Sequence, residues 1–135
     1  MPRGGISTLF HTEPSHPLVE RARAGETGSD DHHALHAAMT GEMLRRLEPV
    51  VYEHRPDAML VYGDTNSTLA GALAGAQAGI PVAHVEAGMR SYDRAMPEEL
   101  NRVLTDHASA LLLCSAEAPA AILRGERVAG EIEVV

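Results

Sequence analysis

Short apolar runs that alternate with helix-length segments constrain the fold of this 135-residue chain more than any other feature. The runs cover residues 58–62, 81–85, 110–114 and 132–135. Runs of this length, ended by glycine or polar residues, predict strands buried in a parallel sheet. Apolar residues between the runs recur at helical spacing, which predicts helices near residues 67–78, 98–108 and 116–123. This order predicts an α/β fold, an open parallel sheet with helices on both faces.

The sequence pattern divides the chain into two parts. Residues 1–29 are repeatedly interrupted by glycine and proline, which predicts an irregular segment with at most one helical turn near residues 18–23. A helix predicted to end before Pro56 then leads into the alternating elements, so we assign residues 30–135 to one α/β domain. The pattern has no opening strand and stops inside a predicted strand. We therefore expect a fragment of a larger protein.

Composition excludes several classes of protein. Hydrophobic residues make up 44% of the chain, which is too many for a disordered tail. No apolar run approaches the roughly 20 residues of a membrane-spanning helix, and no secretory signal is visible. The single Cys114 excludes a disulfide framework and suits the cytoplasm. A net charge of −8 without a basic run argues against nucleic acid as a partner.

Acidic residues gather at one predicted edge of the sheet. Asp64 and Glu86 each follow a predicted strand, and Glu98 and Glu99 open the next helix. Ligands of open α/β sheets bind outside the carboxyl ends of the strands. Neighbouring acids differ in proton affinity, which suits general acid–base chemistry. The alternative is that Asp64 and Glu98 are helix caps and Glu86 is a surface acid.

Several other residues carry two interpretations. His84 lies on the same side of its strand as Glu86, so it either orients a substrate or is a core histidine with satisfied hydrogen bonds. His32 and His36 share a helix face, but no third ligand is evident and we predict no metal site. Cys114 lies in an apolar strand and is most simply a core residue. The glycine-rich motifs that bind nucleotide phosphates are absent, so we predict no nucleotide cofactor.

Three motifs carry a resemblance to a known family: VYGDTNST at residues 61–68, PVAHVEAGMRS at 81–91 and MPEELNR at 96–102. In combination they resemble the non-hydrolysing UDP-N-acetylglucosamine 2-epimerases, over about residues 28–135. The middle motif is usually HVEAGLR in that family, so Met89 stands where leucine is usual. The resemblance implies part of a GT-B architecture, in which two Rossmann-like domains flank the active site.

The resemblance also implies an activity and a set of site residues. The family consists of isomerases that interconvert UDP-GlcNAc and UDP-ManNAc at C2, by elimination and re-addition of UDP and without a cofactor. The catalytic carboxylates it implies are Asp64, Glu86 and Glu98. We expect Asp64 and Glu98 to share proton transfer, and Glu86 to stabilise charge or hold the sugar. The implied substrate contacts are Thr65, His84, Arg90, Asn101 and Arg102.

The sequence departs from the family pattern at both ends. The family's opening G-T-R-P-E strand has no counterpart here, nor has its second domain, which supplies a catalytic histidine and most of the uridine diphosphate site. We therefore expect the isolated chain to be inactive, to expose Met59, Val61 and Leu112 if the sheet is open, and to pair as a homodimer or with a complementing chain. One alternative is a non-catalytic remnant that acts as a binding module. Another is half of a GT-B glycosyltransferase, which the PEE-x-NR pattern disfavours.

Overall fold

The computed structural model describes Ser7–Thr8 and residues 29–135, with side chains from Leu35 onward. In chain order the elements are β1 (Ser7–Thr8), α1 (Ser29–His54), β2 (Met59–Tyr62), α2 (Asn66–Gln77), β3 (Val82–Val85), α3 (Pro97–Ala108), β4 (Leu111–Cys114), α4 (Glu117–Glu126) and β5 (Glu131–Val134). From residue 30 onward every predicted helix and strand is confirmed, with ends that shift by at most three residues. No helix among residues 29–135 is long and apolar enough to cross a membrane.

The strands form one parallel sheet in the order β1-β2-β3-β4-β5. The predicted parallel α/β sheet is therefore confirmed. The prediction that the chain lacks an opening strand is wrong, because Ser7 and Thr8 pair with Met59 and Leu60. Backbone hydrogen bonding to an edge strand needs no apolar run, so hydrophobic pattern could not reveal a strand of two residues. The helical turn predicted near residues 18–23 lies outside the described residues.

Buried side chains alternate along the strands and share one face of the sheet. Met59 pairs in register with Val82, Val61 with His84, and His84 with Leu112. All five are buried, and paired residues of parallel strands point to the same face. The residues between them are only partly buried or exposed. The prediction that Met59, Val61 and Leu112 are exposed is wrong, since each is at most 6% exposed.

The crossover helices all cover this same face. The helix α2 approaches it at Gly75, α3 through Asp106, which bonds His84, and α4 at Leu123. Consecutive strands lie side by side, so crossovers of one hand place their helices on one side. The sequence predicts helices on both faces of the sheet. Among the described residues, the helices lie on one face only.

Small residues let α2 lie close to the sheet. Ala72 and Ala74 are buried in one apolar cluster with Met59, Val61 and Val82. At Gly75 a Cβ atom would come within 2.8 Å of Val82 Cγ2 and 2.9 Å of Met59 Sδ. Both distances are shorter than van der Waals contact, so the glycine sets the spacing between helix and sheet.

We expect Gly75→Ala to destabilise the fold. The added methyl group should cost about 1–3 kcal/mol of overpacking, which exceeds the gain of about 1 kcal/mol from helix propensity. Gly41→Ala is the matched control, because Gly41 also lies inside a helix but has nothing within 4 Å of its Cβ position. It should stabilise by up to about 1 kcal/mol. Urea unfolding of both variants measures the difference, and equal effects would contradict the close packing at Gly75.

Candidate active site

Asp64 and Glu86 lie at the carboxyl ends of neighbouring strands. Tyr62, the last residue of β2, pairs with Val85, the last residue of β3. Asp64 follows β2 by two residues, and Glu86 follows β3 directly. A Cβ atom on Gly63 would lie 3.7 Å from Glu86 Oε2, so the Glu86 carboxylate lies against the turn that carries Asp64. The register of the sheet therefore brings the two acids to one edge.

The helix α3 brings Glu98 to the same edge. Glu98 lies in its first turn and is half-buried. One turn further on, Asn101 Nδ2 donates a hydrogen bond of 2.9 Å to the Asp64 carbonyl oxygen and one of 3.1 Å to Asn66 Oδ1. These bonds fix the start of α3 against the turn after β2. The structure thus brings together the three segments that carry the predicted catalytic acids.

The turns at this edge use left-handed backbone conformations. Gly63 has a φ of 71° and Gly88 a φ of 80°. A Cβ atom on Gly88 would lie 2.5 Å from the Pro119 carbonyl oxygen, so this position also needs glycine for space. Glu86 has a φ of 67°, which is uncommon for a residue with a side chain and costs about 1 kcal/mol or more. The strain is held at a residue predicted to take part in catalysis.

Arg102 joins Asp64 to a second, buried carboxylate. Its Nε and Nη2 donate to Asp64 Oδ2 at 3.0 and 2.8 Å, and its Nη1 donates to Glu99 Oε2 at 3.0 Å. Burial alone would lower the pKa of Arg102, but the bonds to Asp64 and Glu99 raise it above its ordinary value. Arg102 therefore remains a cation that holds the Asp64 carboxylate in one orientation.

Glu99 organises the loop between β3 and α3. It is 2% exposed, and its two oxygens accept the backbone N–H groups of Ser91 and Tyr92, each at 3.0 Å. Burial alone would raise the pKa of Glu99, but these amides and Arg102 hold it below its ordinary value. The buried Glu99 is therefore ionised at neutral pH, and three donors satisfy it.

A second buried network lies beneath the turns and centres on Asp106. Its Oδ1 lies 2.6 Å from His84 Nδ1, and its Oδ2 accepts the Gly88 N–H at 3.1 Å and an Arg90 N–H at 2.7 Å. Arg90 also forms two bonds to Glu126, at 2.9 and 2.7 Å. Both members of the His84–Asp106 pair are fully buried. This network connects β3, α3, α4 and the loop after Glu86.

The ion pairs of this network change the pKa values of its outer members. Burial alone would lower the pKa of Arg90, but the bonds to Glu126 and Asp106 raise it well above its ordinary value. The bonds from Arg90 lower the pKa of Glu126, and His107 adds to this effect against a smaller opposing contribution from burial. Both groups are therefore charged across the neutral range.

Most residues predicted to contact substrate have other partners in the structure. His84 and the Arg90 side chain are at most 1% exposed and are bonded within the protein, which does not support direct contact with a ligand. The Asn101 amide and the Arg102 guanidinium are bonded to the turn of Asp64. Thr65 is exposed and caps α2 through a bond from the Thr68 N–H.

The cysteine and histidine residues considered as further candidates do not form a separate site among the described residues. Cys114 is fully buried among apolar residues, and burial raises the pKa of its thiol, which fits the core interpretation. His36 Nδ1 lies 3.0 Å from Asn66 Nδ2. The side chain of His32 lies outside the described residues. From Leu35 onward, no group of three His, Cys, Asp or Glu residues is placed to hold a metal ion.

The sequence pattern does not predict the roles of Asp106 and Glu126, and it marks Glu99 only as a neighbour of Glu98. The sequence of α3 nevertheless contains one indication of this buried network. Glu99, Arg102 and Asp106 recur at helical spacing and share one face. That face is the buried one, while Leu100 and Leu104 of the same helix are 46% and 41% exposed. A helix that buries its charged face indicates an internal ion-pair network.

We expect Glu99→Gln to destabilise the protein and to reduce its sensitivity to acid. At pH 7 the loss of a buried charged acceptor should cost about 1–3 kcal/mol. Because the pKa of Glu99 lies below 4.5 in the folded state, its contribution is complete above that pH and is lost as the pH falls through the folded-state pKa. The variant should therefore lose less stability than the wild type on acidification.

Urea unfolding at pH 7 and at several values below pH 4.5 measures this effect. Leu104→Gln is the control, because it changes an exposed residue of the same helix without altering a titratable group. It should keep the pH dependence of the wild type. A Glu99→Gln protein with the same acid sensitivity as the wild type would contradict the ionised, hydrogen-bonded state of Glu99.

Comparison with known proteins agrees with the motifs at this edge of the sheet. A family model described as UDP-N-acetylglucosamine 2-epimerase matches residues 24–135. A UDP-N-acetylglucosamine 2-epimerase homolog from Methanococcus maripaludis is 55% identical over 93 residues, which are 69% of this chain and 26% of that protein. The chain belongs to the UDP-N-acetylglucosamine 2-epimerase family, and its match spans about a quarter of such relatives' length.

Two further relatives show how broad the similarity is. A UDP-2,3-diacetamido-2,3-dideoxy-D-glucuronate 2-epimerase from Pseudomonas aeruginosa is 54% identical over 85 residues, 63% of this chain and 24% of that protein. The crystal structure of a Methanocaldococcus jannaschii UDP-GlcNAc 2-epimerase in complex with UDP-GlcNAc and UDP matches at a TM-score of 0.72. It is 50% identical, and the match covers 74% of this chain and 28% of that one. Relatives that share this fold therefore include more than one nucleotide-sugar 2-epimerase.

Proposed function

We propose that this chain supplies the acid–base part of a nucleotide-sugar 2-epimerase, an isomerase that interconverts UDP-GlcNAc and UDP-ManNAc. The observation that carries the proposal is the register of β2 and β3, which brings Asp64 and Glu86 to one edge, where Glu98 lies in the first turn of α3. Family relatives named for this activity support it. A nucleotide-sugar substrate and a single buried cysteine also favour the cytoplasm.

The proposed chemistry needs an acid and a base near C2 of the sugar. A base removes the C2 proton while the bond between C1 and the UDP oxygen breaks, which leaves a glycal and free UDP. Delivery of a proton to the other face of C2 and return of the UDP oxygen to C1 give the epimer. Asp64 and Glu98 share the two proton transfers, and Glu86 stabilises positive charge at C1 or holds the sugar.

Arg102 and Asn101 serve this chemistry by positioning Asp64. Two bonds from Arg102 end on the same oxygen, Asp64 Oδ2, and in the proposed reaction the other oxygen, Oδ1, takes part in proton transfer. Asn101 holds the backbone of the same residue. Thr65 is exposed at the start of α2 and contacts the substrate. His84 and Arg90 act from within the protein.

A second substrate has a specific observation in its favour. The relative named for UDP-2,3-diacetamido-2,3-dideoxy-D-glucuronate is 54% identical, against 55% for the first UDP-N-acetylglucosamine 2-epimerase homolog. Both substrates carry an acetamido group at the carbon that is inverted, so the same acids serve either. Assays with each compound decide between them, since the groups at C3 and C6 differ.

We expect the 135-residue chain alone to show no exchange of the C2 hydrogen of UDP-GlcNAc with solvent deuterium. Positioning of reactants contributes about 7–11 kcal/mol to enzymatic rates, and losing about 4 kcal/mol of it slows a reaction about a thousandfold. Fusion to the remaining part of the Methanococcus maripaludis relative should restore exchange. Proton NMR of the recovered nucleotide sugar measures deuterium at C2.

Within that fusion protein, Asp64→Asn and Glu98→Gln should each lower the exchange rate by about a hundredfold or more. Glu53→Gln is the matched control, because Glu53 is an exposed acid near the end of α1, just before β2 begins, and so at the other edge of the sheet. It should keep the full rate. Exchange that survives both acid substitutions would contradict the assignment, and a fusion without any exchange would favour the non-catalytic binding module.

A further inference from the structure

His84 lies between two hydrogen-bond acceptors inside the protein. Its Nε2 is 2.7 Å from the Gly63 carbonyl oxygen, and its Nδ1 is 2.6 Å from Asp106 Oδ1. A carbonyl oxygen only accepts, so Nε2 carries a proton and donates it. A neutral imidazole has one N–H group, which here is on Nε2. Nδ1 therefore carries a proton only if the ring is positively charged, and otherwise any proton in the bond between Nδ1 and Asp106 belongs to Asp106.

The surroundings of Asp106 place that proton on His84. The Oδ2 atom of Asp106 accepts a backbone N–H from Gly88 and an N–H from the Arg90 guanidinium, at 3.1 and 2.7 Å. Two donors, one of them a cation, stabilise the ionised carboxylate. Arg90 is in turn paired with Glu126. A neutral ring beside an ionised Asp106 would leave two acceptors, His84 Nδ1 and Asp106 Oδ1, 2.6 Å apart without a proton between them, whereas a protonated His84 supplies that proton.

We propose that His84 carries a proton on both ring nitrogens and that, through them, it is the positioning residue that joins the two acid-bearing turns. On one side its Nε2–H holds the Gly63 carbonyl, directly before Asp64. On the other side its Nδ1–H holds Asp106, which fixes the Gly88 amide two residues after Glu86. Its value for catalysis rests on the proposed function, but its protonation and its bonds do not.

The geometry explains why the sequence has histidine here. A single side chain must donate in two opposite directions, toward β2 and toward α3, without reaching the crevice. The doubly protonated imidazole donates along two well-separated directions from one rigid ring, and it is compact enough to be buried in a strand. An amide at this position could replace one donor but not both. His84 is fully buried and does not touch substrate, so its contribution is the relative placement of Asp64 and Glu86.

Asp106→Asn separates the charge of His84 from its geometry. In this variant the introduced amide nitrogen can donate to His84 Nδ1, while the amide oxygen still accepts from Gly88 and Arg90. Every hydrogen bond is kept, but the ring then needs only the proton on Nε2. Glu126→Gln is the matched control, since it removes another carboxylate of the same network without touching His84.

Nitrogen-15 NMR of the 135-residue chain, labelled at histidine, tests the proposal near neutral pH. The spectrum of His84→Gln identifies the His84 signals by their loss. In the wild type and in Glu126→Gln, both ring nitrogens should appear as protonated nitrogens. In Asp106→Asn, Nδ1 should shift to the range of an unprotonated nitrogen while Nε2 stays protonated.

Three results would overturn the proposal. They are an unprotonated Nδ1 in the wild type, a fully protonated ring that survives Asp106→Asn, and an averaged signal like that of a histidine in an unfolded chain. The positioning role has its own readout in the amide signals of Gly63 and Asp64. These should shift in His84→Leu, which loses both donors, and return toward the wild type in His84→Gln, whose amide nitrogen reaches the position of Nε2. Failure of His84→Gln to restore them would remove the positioning role.

None of these readouts depends on turnover. If the fusion protein lacked epimerase activity while His84 gave the expected spectra, the proposed function would fail and the buried network would stand. If the fusion protein were active but His84 were neutral, the proposed function would stand and the proposed protonation of His84 would fail.

Discussion

The acid-bearing turns depend on the hydrogen bonds that the buried carboxylate of Asp106 accepts. Its two oxygens bind His84 from β3, the Gly88 amide and Arg90, and Arg90 extends the connection to Glu126 in α4. Without these donors a full charge would be buried unpaired, at a cost of several kcal/mol. The network therefore fixes the turns after β2 and β3 together.

The sequence predicts the sheet well because apolar runs and their spacing report burial directly. The runs that become β2, β3 and β4 need only be apolar and short to be recognised. The sequence does not predict features that do not depend on the burial of apolar side chains. The strand β1 consists of Ser7 and Thr8, which pair through backbone atoms. Placement of the helices on one face follows from strand order, which a local pattern does not contain.

The candidate site is predictable in part, for a similar reason. Asp64 and Glu86 follow strands, so their place at one edge is a consequence of topology, and the structure brings their turns together. The partners of the buried side chains are not predictable in this way. His84 matches the family motif whether it contacts substrate or Asp106, and only its burial and its two short bonds distinguish these roles. Arg90 is likewise an internal residue in spite of its motif.

The turn after Glu86 is held by buried charge and not by surface contacts. Native-state hydrogen exchange of the Gly88 amide, whose N–H is donated to Asp106, tests this most directly. The amide should exchange only when the whole domain unfolds, with the same free energy as core amides such as that of Leu112 in β4. Exchange of the Gly88 amide through local opening, at a free energy well below that of Leu112, would contradict the role of the buried charge.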